Sequence, residues 1–410
     1  MKSNFSFLSI LLLALSLSFF QACSDIQGST PDTDQVAEPD IPHMLPRAEG
    51  LGSPEERAQV AQSYDDQVAI LRANPLDVKS RLTLASLFAQ EARVTGEHPY
   101  YYPKALELLA PVMKRLDLSD EHRFQALYLQ SSVLLSQHEF AEALKAGEAA
   151  RQIFPRNAGI YGVLIDAQVE LGNYEAAVQL SDQMVSMRPD LRSYSRISYL
   201  RELHGDPKGA IEAMKMAVSA GMPGYEQTSW CRVTLGQLEE TYGSFDAAEM
   251  QYQIVLQERP DYPFAYAGLA SVAQKRGQLE ESMEWLEKAI AMIPEVGFFE
   301  QKAGLLAEMG EQEAADALVP QILEMIEEDL EGGHVMDLEL AHVKLDLAGD
   351  AAGALAAVQA AEAKRPQNLE VQKILAQVYH AMGEKEKVAT CVAAARRTGW
   401  QDPALLALEI

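Results

Sequence analysis

The sequence predicts an all-α solenoid of repeated helical pairs, about nine of them, and three residue series carry that reading. Turn glycines fall at Gly172, Gly205, Gly243, Gly277, Gly310, Gly349 and Gly383, at intervals of 33, 38, 34, 33, 39 and 34 residues. Prolines recur at Pro155, Pro189, Pro260, Pro294 and Pro366, with 34 residues between the first two and again between Pro260 and Pro294. Alanines stand five residues after most of the glycines, at Ala177, Ala210, Ala248, Ala315 and Ala354. Each type has a mechanical role. Glycine supplies the left-handed cap that ends the first helix of a pair. Alanine sits where two helices approach too closely for a larger side chain, and proline ends the second helix.

In chain order, Met1-Lys2 gives one positive charge and Phe5 to Phe20 is a continuous apolar and Ser stretch. Its 16 residues are short for a membrane span and fit the core of a signal peptide, so residues 1–22 are expected to be a leader. Phe20-Gln21-Ala22-Cys23 follows. A small residue directly before a Cys resembles the bacterial lipoprotein cleavage box, which implies lipidation of Cys23. Ser24, rather than Asp, next to it implies by the same resemblance an outer-membrane address facing the periplasm. Residues 23–53 are expected to form a disordered tether. Pro31, Pro39, Pro42 and Pro46 alternate there with acidic residues, and no helical or strand periodicity is present.

Ser53-Pro54-Glu55-Glu56 reads as a helix start: Ser as N-cap, Pro at the first helical position and Glu three residues on. From there to residue 410 the pattern is helix after helix, with no alternating β-branched run to compete. One lone helix (54–74) should precede nine units between Val78 and Trp400.

These units resemble the tetratricopeptide repeat, a 34-residue helix-turn-helix. Ala158 to Pro189 carries Tyr161, Leu164, Gly172, Tyr174, Ala177 and Pro189 on the family pattern. Ser229 to Pro260 and Pro263 to Pro294 match in the same way, through Leu235-Gly236, Gly243, Phe245, Ala248 and Tyr252, and through Tyr266, Leu269-Ala270, Gly277 and Ala289. The resemblance implies a right-handed superhelix, with the first helices lining a concave groove that captures a helix or an extended peptide.

Composition bounds the function. The chain has 410 residues, 60 acidic against 34 basic, and a formal net charge of -26. Phosphate binding needs surplus Lys and Arg, so nucleic acid is excluded as a general partner. Three cysteines cannot staple a chain of this length, and 48% hydrophobic residues are ample for a core. The histidines form no HExxH or other compact set along the chain, and no phosphate loop, dinucleotide fingerprint or GxSxG elbow is present. No enzyme, cofactor or metal is therefore expected.

Departures from the repeat are where function can sit. The first unit carries about eight extra residues around His98-Pro99-Tyr100-Tyr101-Tyr102-Pro103. The three tyrosines are expected on a loop, either stacking on a ligand or covering the end of the superhelix. Residues 186–232 hold seven basic and five acidic side chains, a local charge of +2. On one helix face there, Arg192, Ser195, Tyr199 and Glu202 follow at spacings of three and four, with Arg196 beside them and Trp230 at the matching place in the next unit. With Arg232 they make a candidate wall for a carboxylate-bearing ligand.

Family members that hold a peptide's C-terminal carboxylate use basic residues four apart on a first helix, and Arg192 and Arg196 resemble that pair. The Asn positions that usually assist hold Val163 and Ser132. The arginines could equally bridge to acids of the neighbouring unit, such as Asp166 and Glu170. Residues 300–350 carry fourteen acids against two bases, which reads as a solvated face or a dock for a basic partner. The leading expectation is a lipid-anchored envelope scaffold for a protein or peptide. A small-ligand or metal-handling accessory of envelope transport, and a purely structural spacer, stand as alternatives.

Overall fold

The computed structural model describes residues 41–408. The expected leader, Cys23 and the tether up to residue 40 lie outside the described residues.

Among the described residues every regular element is helical. Helix α1 (Pro54–Ala73) stands alone, capped by Ser53, whose hydroxyl accepts from the Glu56 amide at 3.1 Å. Nine pairs follow. Units 1 to 3 are α2 (Val78–Thr95) with α3 (His98–Met113), α4 (Asp120–Ser136) with α5 (Phe140–Ile153), and α6 (Ala158–Glu170) with α7 (Tyr174–Met187). Units 4 to 6 are α8 (Leu191–Leu203) with α9 (Pro207–Ala220), α10 (Glu226–Tyr242) with α11 (Phe245–Glu258), and α12 (Pro263–Lys275) with α13 (Leu279–Met292). Unit 7 is α14 (Val296–Glu308) with α15 (Gln312–Glu331). In unit 8, α16 (Asp337–His342) runs on into a π-turn, Val343–Leu347, before α17 (Ala351–Lys364). Unit 9 is α18 (Leu369–Ala381) with α19 (Lys385–Ala395), followed by the short α20 (Pro403–Leu406).

The repeat residues do what their spacing implies. Ala177, Ala210, Ala248 and Ala354 are fully buried. Six of the seven spaced glycines adopt positive φ. Gly243 does not: its φ is -118°, because α10 runs longer and Ser244 caps α11 instead. In unit 2 the corresponding turn position holds His138, whose φ is +61°.

The superhelix closes on itself. The turns inside units 2, 3 and 4 seat against the junctions that precede unit 8, precede unit 9 and follow unit 9. Gln137 donates to the Gly332 carbonyl at 3.0 Å, the Leu369 amide to the Tyr174 hydroxyl at 2.9 Å, and Gln401 to the Gly205 carbonyl at 3.0 Å. These contacts span 195 to 196 residues of sequence. One hydrophobic core accordingly mixes Phe124 to Leu203 with Leu338 to Leu405.

Two expectations are corrected here. The tether does not extend to residue 53. Residues 41–52 are packed: Arg47 pairs with Glu91 at 2.6 Å and Glu56 at 2.8 Å, and Leu51 is buried in the core of α12–α14. Nor do the three tyrosines lie on a loop. They form the first turns of α3, because Pro99 falls where a helix has no N–H bond to lose. Tyr101 and Tyr102 are buried; the Tyr101 hydroxyl accepts from the Leu45 amide at 2.9 Å, and that of Tyr100 donates to the His43 carbonyl at 2.8 Å. Tyr100 and Tyr101 thus hold the 41–52 segment, while Tyr102 packs on His98.

Candidate functional site

Closure turns the groove into a chamber of about 260 Å³, walled mainly by the first helices α10, α12, α14, α16 and α18. Its apolar wall includes Trp230, Val233, Phe264, Phe298, Met336 and Leu347. Among its polar lining residues, Glu226, Glu295, Glu300, Asp329, Glu339 and Asp346 face two bases, Arg93 and Lys373. Lys373 is already engaged by Glu370 at 2.8 Å and Asp402 at 3.5 Å. The chamber meets solvent where Glu226, Trp230, Thr234 and Gln237 are part-exposed.

The decisive feature is a surplus of acceptors. Glu300 Oε1, Gln301 Oε1, Glu339 Oε1, Gln377 Oε1 and Asp329 Oδ1 are buried with no hydrogen-bond partner in the protein. Gln301 Nε2 lies 3.5 Å from the Ala267 carbonyl, which turns its oxygen inward. Buried acceptors are costly unless a donor reaches them, so the chamber calls for contents rich in N–H or O–H. Burial pushes the Glu300 carboxyl up to about 8, with Glu339 and Asp346 adding to the rise against the pull of His342. Burial raises Glu339 as well. For His342 burial acts downward, but Asp346 and Glu300 outweigh it and hold the imidazole above its ordinary value. At the far end, burial and the neighbouring His334 push His98 down to about 4.

The expected basic wall divides. Trp230 lines the chamber. Arg192 lines a small side recess with Tyr128 and Ser132. Arg196 is no ligand group: it is 2% exposed, lies 2.8 Å and 2.5 Å from the two carboxylate oxygens of Asp166, and donates to the Gly162 carbonyl at 3.1 Å. The alternative of bridging to Asp166 is therefore the one the fold adopts, while Glu170 pairs with Arg365. Ser195 is fully buried and donates to the Arg192 carbonyl. Tyr199 packs against the shared core. Glu202 accepts from the Tyr242 hydroxyl at 3.1 Å, and burial pushes its carboxyl up to about 7. Arg232 lies against α11, paired with Glu258 at 3.0 Å.

What sequence reasoning missed is the far end of the chamber. His98, Asp329 and His334 converge there, with one donor atom of each within 4.8 Å of the others. His138 lies behind, its Nε2 3.5 Å from Nε2 of His334. The signal was present only indirectly, as the extra residues of units 1 and 7.

Two stretches match family models described as tetratricopeptide repeat, residues 134–201 and 233–296. No curated protein matches the chain. Among solved structures, PilW, a widely conserved type IV pilus biogenesis factor, is 17% identical, with 48% of this chain and 91% of that chain covered and a TM-score of 0.41. A thermophilic repeat protein of Thermus thermophilus is 20% identical over 52% of this chain and all of its own, with a TM-score of 0.39. One of Parabacteroides merdae is 17% identical over 66% of this chain and 99% of its own, with a TM-score of 0.43. The repeat family generally mediates protein–protein interaction and is generally non-catalytic. With the 34-residue period, the nine helical pairs and both family matches in agreement, the chain carries tetratricopeptide repeats.

Proposed function

We propose that this array is a binding scaffold whose axial chamber captures a cationic, apolar-flanked segment of a partner protein. The observation that carries the reading is the set of partnerless buried acceptors facing Trp230, Phe264 and Phe298. A Lys or Arg side chain supplies donors for the first and an aliphatic stem for the second. Trp230 and Phe264 add ring faces to which a cation is attracted. Entry of a cation ionises Glu300, so binding should release a proton and tighten as pH rises. The leader-like residues 1–22 and Cys23 support a lipid anchor in the cell envelope, with the segment up to residue 40 as spacer.

The test is calorimetry of the full chain against peptides bearing one Lys or Arg between aliphatic residues, with an acidic counterpart as control. Saturable binding of the basic peptides, weakened at least tenfold in Glu300→Gln/Glu339→Gln, is expected. Silence, or equal binding by the variant, removes the reading. Equal binding of a free alkylamine would move it to a small-ligand carrier. For the anchor, Cys23→Ser should release the protein from membranes on fractionation; retention would remove that part.

A further inference from the structure

The two longest departures from the repeat meet. Helix α15 has 20 residues where α5, α7, α9, α11, α13 and α17 have 14. Its extra turn carries Asp329, and the Gly332-Gly333 bend delivers His334. The extra residues of unit 1 carry His98. Closure of the superhelix brings the three side chains together, with donor atoms within 4.8 Å of one another.

Hydrogen bonding leaves this group in want of a cation. Nδ1 of His138 lies 2.7 Å from the Val335 carbonyl, and a carbonyl only accepts, so Nδ1 carries the proton. In the neutral ring Nε2 is then bare, and His334 Nε2 at 3.5 Å must supply the hydrogen between them. That leaves His334 Nδ1 bare, facing Asp329 Oδ1 at 3.5 Å. Both atoms are buried and neither has a hydrogen-bond partner, in residues 5% and 8% exposed. Two ligands on a tetrahedral zinc ion, at bonds of 2.0–2.1 Å, stand roughly 3.3 Å apart. The surroundings hold the rings in place. Tyr102 stacks on His98 at a centroid distance of 5.4 Å and meets His334 edge-on. His138 occupies the turn position that is glycine in the seven later units, six of them at positive φ, and its φ of +61° is one that glycine would adopt without strain.

We propose that His98, Asp329 and His334 bind a divalent late first-row metal ion, zinc being the best match to two imidazoles and one carboxylate. His138 is a positioning residue that fixes the tautomer of His334. The ion joins unit 1 to the end of unit 7 across a full turn of the superhelix and so holds the chamber shut. The metal site shares only Asp329 with the acceptor set of the chamber; Glu300, Gln301, Glu339 and Gln377 remain for what fills it.

The experiment uses the full chain, stripped with a chelator and titrated with Zn2+ by competition against a chromophoric chelator. One equivalent should bind, and saturation should raise Tm. His334→Gln and Asp329→Asn should each weaken binding at least tenfold and abolish the Tm rise, with unchanged helical circular dichroism. His138→Gly keeps the proposal falsifiable even if those variants fold poorly, since glycine relieves the turn. Relief of the positive φ offsets part of the lost hydrogen bond to Val335, so this variant should keep its helical circular dichroism in the absence of metal, yet bind Zn2+ about tenfold more weakly. An imidazolium–carboxylate pair between His334 and Asp329 would satisfy the same two atoms without metal. Absence of a tight equivalent, or equal affinity in wild type and His138→Gly, supports that pair and overturns the proposal.

Discussion

Arg365 and Glu170 meet at 2.5 Å although 195 residues of sequence lie between them. Arg365 also lies over the Phe140 ring, 4.9 Å from its centroid, and Asn368 donates to the Glu170 carbonyl at 2.9 Å. This patch clamps the second turn of the superhelix onto the first. An open array is stabilised only by neighbouring repeats, whereas contacts at this separation make distant repeats cooperate.

Arg365→Ala should therefore cost about 1–3 kcal/mol, a range set low because Glu170 keeps some solvent contact. It should also loosen the whole particle. Urea unfolding is expected to broaden or split, and the radius of gyration from X-ray scattering to grow. A single unshifted transition at constant radius would mean that the apolar core between the turns suffices.

The glycines give a paired experiment on the same interface. Gly172 and Gly277 share a left-handed conformation, with φ of +80° and +78°. A β-carbon on Gly172 would strike the backbone of Gln367 in the next turn, while one on Gly277 would meet nothing within 4 Å. Gly277→Ala should cost about 1–2 kcal/mol, the conformational penalty alone. Gly172→Ala should cost clearly more and expand the particle, as Arg365→Ala does. Equal destabilisation, read from urea midpoints, would show that the turns separate freely at this point.

Much of the fold was legible because a repeat writes its period into the chain three times over. Gly, Pro and Ala each obey local steric rules, so the later pairs follow from spacing, while the lone helix follows from its Ser53-Pro54 start. The site was less legible, since a period records which neighbours stack and not which turn lands on which. His98, His138 and His334 belong to units 1 and 2 and the junction after unit 7, and only the closure near 195 residues brings them together. Arg232 shows a second limit. It stands two positions from Trp230, about 200° around the helix, so the two cannot line one wall. The tyrosines were misplaced because Pro99 and Pro103 read as loop punctuation, although Pro99 falls in the first turn, where a helix accepts proline, and Pro103 lies inside α3.

The pair of Arg196 and Asp166 separates a structural arginine from a ligand arginine. Both residues are 2% exposed, and burial pushes the Asp166 carboxyl upward against the pull of Arg196. Arg196→Ala leaves that carboxyl buried without its partner and should cost about 3–5 kcal/mol. Arg196→Met with Asp166→Leu, which removes both charges at similar volume, should recover much of the loss. Thermal melts of the single and double variants check this. A double variant as unstable as the single would assign the cost to lost packing instead.

The chamber acids set the response to pH. Burial holds Glu300 up at about 8, against about 4.3 for an unfolded glutamate. Glu202 stands at about 7. Between those values the folded state binds protons that the unfolded state has released, so stability falls as pH rises through the window. Groups facing Glu300 set its position, Glu339 and Asp346 raising it and His342 lowering it, while the raised imidazole of His342 adds a slope of the same sign. An unfolded histidine is still about half protonated at pH 6.5, so a buried neutral histidine such as His98 opposes the trend only weakly between pH 6.5 and 8.5. Tm should be higher at pH 6.5, and Glu300→Gln, which cannot ionise, should shrink the difference. A Tm that rises with pH over this interval, or a variant whose profile parallels wild type, would show that solvent reaches Glu300 and that the chamber does not impose the desolvation its walls imply.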